Sequence, residues 1–113
     1  MTNILGIKYG GHDTAAALLV DGKIVAACSQ ERYTRDKHSR RFPKEAATDC
    51  LRIEGIGINQ VDEVAFVNDL RTYIREIYLR PALQSNDRMD FLFNDIDRVA
   101  RAYNMDNIIR ENL

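Results

Sequence analysis

The segment from Gly6 to Val25 sets a polar, glycine-rich loop between two apolar runs and closes the second run with Asp21-Gly22. An Asp-Gly pair after an apolar run favours a primed hairpin turn, because both central residues take positive φ there. The segment is thereby limited to strand, loop, strand, turn and strand, at Ile4 to Tyr9, Ala15 to Val20 and Lys23 to Gln30. Ala15 to Val20 contains no polar residue, as expected of a strand covered on both faces of a sheet. The loop gathers Gly10, Gly11, His12, Asp13 and Thr14, a set of polar groups that packing between buried strands does not require. Successive backbone N–H groups in a glycine-rich turn can form an anion-binding concavity, and glycine permits both the dihedrals and the close approach. An anion or a reacting acyl group is the expected occupant.

Downstream, Glu31 to Arg41 crowds together Arg32, Arg35, Lys37, His38, Arg40 and Arg41 and reads as a positively charged loop. Pro43 suits the start of a helix, Ala47, Cys50, Leu51 and Glu54 follow at helical spacing, and Gly55 ends the element. Glu63 to Val67 is the next strand, so strand, helix, strand implies a parallel pairing. Val64 to Val67 is apolar on both faces and, as the last strand, falls at the sheet edge, where an apolar strand invites association. Leu70, Tyr73, Ile74, Ile77 and Tyr78 form a helical stripe expected to end at Pro81. Met89, Leu92, Phe93, Ile96, Val99, Ala100 and Tyr103 form a second, and Met105, Ile108 and Ile109 a last short helix. Tyr73, Tyr78, Phe91, Phe93 and Tyr103 are read as core or interface residues. The expected class is α/β, ordered β-β-β-α-β and then helices. It is read as one domain over 1–113, with the sheet and first helix in 1–69 and a helical part in 70–113.

The formal net charge of -1 argues against a general nucleic-acid or membrane partner. No signal pattern or membrane-length apolar run is present, and a cytoplasmic location is expected. Cys28 and Cys50 have neither metal-ligand spacing nor the density of a disulfide scaffold, so both are expected as buried, reduced thiols. A chain of 113 residues is also short for an enzyme whose site lies between two domains.

The element order resembles the ribonuclease-H-like half-domain of the actin, sugar-kinase and heat-shock-chaperone superfamily, in which the turn between the first two strands faces phosphate or acyl groups. Two segments are more specific: HDTAAALLVDGKIVAACSQERYTRDKHSRRFP from His12 to Pro43, and IGINQVDEVAFVND from Ile56 to Asp69. Together they resemble the N-terminus of the O-carbamoyltransferases that decorate nodulation factors and antibiotics, over about the first two-thirds of the chain. That family carries a His-Asp-Ser/Thr/Ala-Ala-Ala-Leu strand, a Val-Asp-Gly hairpin, a Glu-Arg-Phe/Tyr-Thr-Arg-x-Lys-His loop and an Arg-Phe-Pro helix entry. All four occur here in order.

The resemblance implies that carbamoyl phosphate and ATP give carbamoyl-adenylate in a separate C-terminal domain, and that the N-terminal domain passes the carbamoyl group to the hydroxyl of a small molecule. Mapped onto this chain, His12 activates the acceptor or orients the carbamoyl group and Asp13 holds the imidazole or the loop. Gly10, Gly11, Lys37, His38, Glu31 and Arg32 are the candidate substrate-binding residues, while Thr14 is not read as catalytic. The family also implies a divalent metal, held by a His-x-x-x-His pair absent from this chain and by a distant aspartate. With His12 and His38 separated by two strands and a turn, no metal site is expected from this chain alone. The chain then reads as an N-terminal fragment, or as a subunit completed by other polypeptide, and inactive by itself. Two alternatives are the nucleotide-binding half of a sugar-kinase-like protein and a non-catalytic interaction module. The first usually opens with Asp-x-Gly-x-Thr/Ser, and Lys8-Tyr9-Gly10-Gly11-His12-Asp13 lacks the leading aspartate.

Overall fold

A computed structural model describes residues 1–67 and 70–113, with the side chains of residues 70, 71 and 102 outside the description. The chain forms two compact units, residues 1–67 together with Leu113, and residues 68–112.

The first unit is α/β, built on a four-stranded mixed sheet. Strands β1 (Asn3–Lys8), β2 (Ala15–Val20), β3 (Lys23–Ser29) and β4 (Glu63–Phe66) lie in the order β3-β2-β1-β4. β2 runs antiparallel to both β1 and β3, while β4 pairs parallel to β1 after the crossover through a helix. Asp21 and Gly22 have φ of 52° and 81°, the positive values that a primed turn demands. A bulge between Leu18 and Leu19 shifts the β2–β3 register. Pattern alone gave no sign of it.

Period-two alternation sends Leu5 and Ile7 of β1, Ala16 and Leu18 of β2 and Ala26 of β3 to one face. Helix α2 (Lys44–Glu54) covers that face with Ala46, Ala47, Cys50 and Leu51, and ends at Gly55, whose φ of 78° lets it cap the last carbonyls. On the other face of the unit the small side chains of Ala15, Ala17 and Ala27, beside Gly6, line an open groove of about 410 Å³. β2 is thus fully buried on one face only, rather than on both as its apolar run suggested, because α2 packs on one side of the sheet.

Pro43 offers α2 no side-chain cap. Gln30, buried where β3 ends, does so from a distance: its Oε1 accepts the Ala46 N–H at 3.1 Å and its Nε2 donates to Glu45 at 2.5 Å. The basic segment is not wholly loop, since Glu31–Thr34 forms a single helical turn, α1. Tyr33 anchors that turn, packing on the core and donating its hydroxyl to Asp49. This hydrogen bond holds the Asp49 carboxyl below its usual range, while burial pushes the Tyr33 hydroxyl up.

β4 lies at the sheet edge, with Val64 and Val67 exposed. The isolated chain is expected to elute as an oligomer or to aggregate; a cooperative melt from a monodisperse monomer, seen by sedimentation and circular dichroism, would contradict this.

The second unit is helical: α3 (Leu70–Ile74), α4 (Arg80–Gln84), α5 (Asn86–Asn94), α6 (Ile96–Tyr103) and α7 (Met105–Asn112). The helix does not stop at Pro81. A π-helical turn over Arg75–Leu79, with the Arg80 N–H bonded to the Arg75 carbonyl, widens the backbone ahead of the proline and carries the helix on to Gln84. Such a turn relieves the clash between a proline ring and the preceding turn. Ile74, Tyr78 and Val99 form this unit's core, and the Phe91 ring stacks on Tyr78 at 5.1 Å. Tyr73, Phe93 and Tyr103 are exposed. Among the described residues no helix is long and apolar enough to cross a membrane.

Candidate functional site

The hairpin that builds the sheet also assembles the site. Ala15 at the start of β2 faces Ser29 at the end of β3, so the chain leaving β3 returns beside the loop that enters β2. Two backbone bonds fasten the segments: the Gln30 N–H donates to the Thr14 carbonyl at 2.9 Å, and the Thr14 N–H donates to the Ser39 carbonyl at 3.2 Å. Thr14 and Ser39 are buried, and the Thr14 Oγ1 has no hydrogen-bond partner. Glu31 steadies the second loop, its carboxylate accepting the His38 N–H at 3.1 Å.

On this frame His12, Asp13 and His38 converge. Nδ1 of His12 lies 2.6 Å from Oδ2 of Asp13, and Nδ1 of His38 lies 2.9 Å from Oδ1 of the same carboxylate. The imidazole rings stand edge to face with centroids 5.8 Å apart. The strands and turn between the two histidines do not keep them apart: the ligating atoms of His12, Asp13 and His38 all lie within 4.8 Å of one another. Asp13 and His38 have φ of 60° and 56°, and Gly10 has 106°. Asp and His enter this region more readily than most residues, and such conformations persist where the surroundings impose them.

All three side chains face solvent, Asp13 the least. Hydrogen bonds from His12 first and His38 second hold the Asp13 carboxyl below its ordinary value of 3.8. A carboxyl with a lowered folded-state value stabilises the loop above the unfolded value and loses that contribution as pH falls through the folded one. The two contacts should therefore survive below pH 3.8. A carbon-13 titration of Asp13 is expected to give a midpoint below that value, rising when both histidines are replaced; a wild-type midpoint at or above it would contradict the contacts.

The other expected site residues are placed less closely. Lys37 is exposed beside His38 and has no ion-pair partner among the described residues. Arg32 is exposed on α1, and its charge adds to the causes that lower the Asp49 carboxyl. A Cβ on Gly11 would meet nothing within 4 Å, which leaves that side of the loop open to a ligand. Gln30 and Ser39, the buried residues that fasten the second loop, carry no sequence signal of their own.

The family profile described as "Carbamoyltransferase N-terminus" matches residues 3–99. The chain belongs to this carbamoyltransferase family. An uncharacterized protein of Synechocystis, sll1178, is 50% identical over 66 residues, which are 58% of this chain and 11% of that protein. The nodulation protein NolNO of Sinorhizobium fredii is 38% identical over 55 residues, 49% of this chain and 8% of that protein. An uncharacterized 19.2 kDa protein of Rhizobium etli is 32% identical over 73 residues, 65% of this chain and 39% of that protein. This carbamoyltransferase segment thus spans about a tenth of the length of the first two relatives.

Proposed function

We propose that the chain is the N-terminal part of an ATP-dependent O-carbamoyltransferase. In this reading it supplies the loop at which a carbamoyl group passes from carbamoyl-adenylate to an acceptor hydroxyl. The observation that carries the reading is the His12–Asp13 contact on an open glycine-rich loop, in a chain of carbamoyltransferase family membership. Asp13 accepts the Nδ1–H of His12 and so fixes the tautomer that leaves Nε2 with a lone pair. Nε2 takes the acceptor's proton as its oxygen attacks the carbamoyl carbon. The new C–O bond forms, the bond from carbon to the adenylate phosphate breaks, and that electron pair leaves with AMP. The developing oxyanion requires donors or positive charge nearby, which Lys37 and the backbone of Gly10 and Gly11 are suited to supply.

The sheet with its β-β-β-α-β order supports a ribonuclease-H-like half-domain as the framework of this site. Neither of the two histidines lies in the His-x-x-x-His pair that the family resemblance implies for a divalent metal, so no step is assigned to that metal or to ATP here. A cytoplasmic location fits substrates of this kind. The exposure of the site is consistent with completion by the remaining polypeptide or a second subunit. Supplied with carbamoyl-adenylate and hydroxyl-bearing acceptors, the purified chain should therefore give no carbamoylated product by mass spectrometry, and turnover by it alone would overturn this part of the proposal. The sugar-kinase and interaction-module alternatives have no comparable observation in their favour.

A further inference from the structure

Two imidazole nitrogens and a carboxylate meet at one exposed point, and their ligating atoms all lie within 4.8 Å of one another. The N···O separations of 2.6 and 2.9 Å approach the roughly 3–3.4 Å ligand-to-ligand edge of a coordination shell with bonds of about 2.0–2.2 Å. Movements of a few tenths of an ångström in exposed side chains would close the difference. We propose that His12, Asp13 and His38 bind a divalent first-row transition ion through the two Nδ1 atoms and the Asp13 carboxylate. Two imidazoles with one carboxylate suit ions such as iron(II), cobalt(II), nickel(II) or zinc(II), and leave coordination positions open to water or an anionic ligand. Glu31, anchored to the His38 backbone, adds a second negative charge within the same loop. The backbone bond between Thr14 and Ser39 holds the two loops in register.

Occupancy has a defined consequence for the transfer chemistry, and this consequence rests on the function proposed above. A metal on Nδ1 of His12 leaves the ring proton on Nε2, which turns the base into a donor. The bound ion is therefore an inhibitor of transfer.

The test is a titration of the 113-residue chain with cobalt(II) at neutral pH, followed by visible absorption and by calorimetry. Saturable binding of one ion per chain is expected. His12→Asn and His38→Gln should each weaken it by at least about tenfold, since changes even to outer-shell partners of a metal site commonly cost 10–100-fold. The double variant should not bind, while the circular dichroism of all variants remains that of the wild type. Absence of saturable binding to the wild-type chain would overturn the site, as would equal binding by the double variant. The readout needs no turnover, so failure of metal binding is distinguishable from failure of the transfer reading.

Discussion

Leu18→Ala is expected to lower the stability of the N-terminal unit by about 2–5 kcal/mol, the range for truncating a buried leucine. Leu18 is fully buried in β2, opposite Leu5 on one side and Ala26 on the other. It shares one core with Ala16, Ala26, Ala46 and Ala47 and with the larger Leu5, Ile7 and Leu51. The cost within this range is set by how far Leu5, Ile7 and Leu51 relax into the space that the truncation leaves. Urea denaturation followed by far-ultraviolet circular dichroism gives the number, the chain having no tryptophan. A loss below about 1 kcal/mol would mean that the site collapses, contrary to the close packing described.

The parts of this fold that were legible in the sequence are those fixed by local chemistry. Asp21-Gly22 specifies its own turn, Gly55 its helix end, and the order strand, helix, strand the parallel pairing of β4 with β1. What stayed hidden depends on contacts between distant residues. The bulge at Leu18 leaves each local pattern intact, Pro81 hides a helix that widens to accept it, and Gln30 reads as any polar strand end until α2 is docked against it.

The candidate site was half legible. His12 and Asp13 stand out because a glycine-rich loop between apolar strands has little packing use for them. A count of the elements between the two histidines hides the meeting with His38, although a hairpin returns the end of its second strand to the start of its first. The pairing of Ala15 with Ser29 follows from the turn at Asp21-Gly22, and it carries the basic segment to the loop.

The second large effect is on chemistry rather than stability. Asparagine at position 12 can still donate a hydrogen bond toward Asp13, but it has no counterpart to the imidazole Nε2. A positioned general base contributes about 10²–10⁴-fold to rate, so with His12 in the role proposed above His12→Asn should lower transfer by that factor. His12 is exposed, and its replacement should change stability by no more than about 0.5 kcal/mol. An interaction module would tolerate the change without any loss of transfer by the assembly. The decisive measurement is single-turnover transfer from carbamoyl-adenylate to a hydroxyl-bearing acceptor, the reaction proposed above. It is made with the complete enzyme of the proposed function, with wild-type and His12→Asn proteins matched for folding by their thermal melts. The account predicts a rate lowered about 10²–10⁴-fold at unchanged melting temperature, and a variant that transfers at the wild-type rate would contradict it.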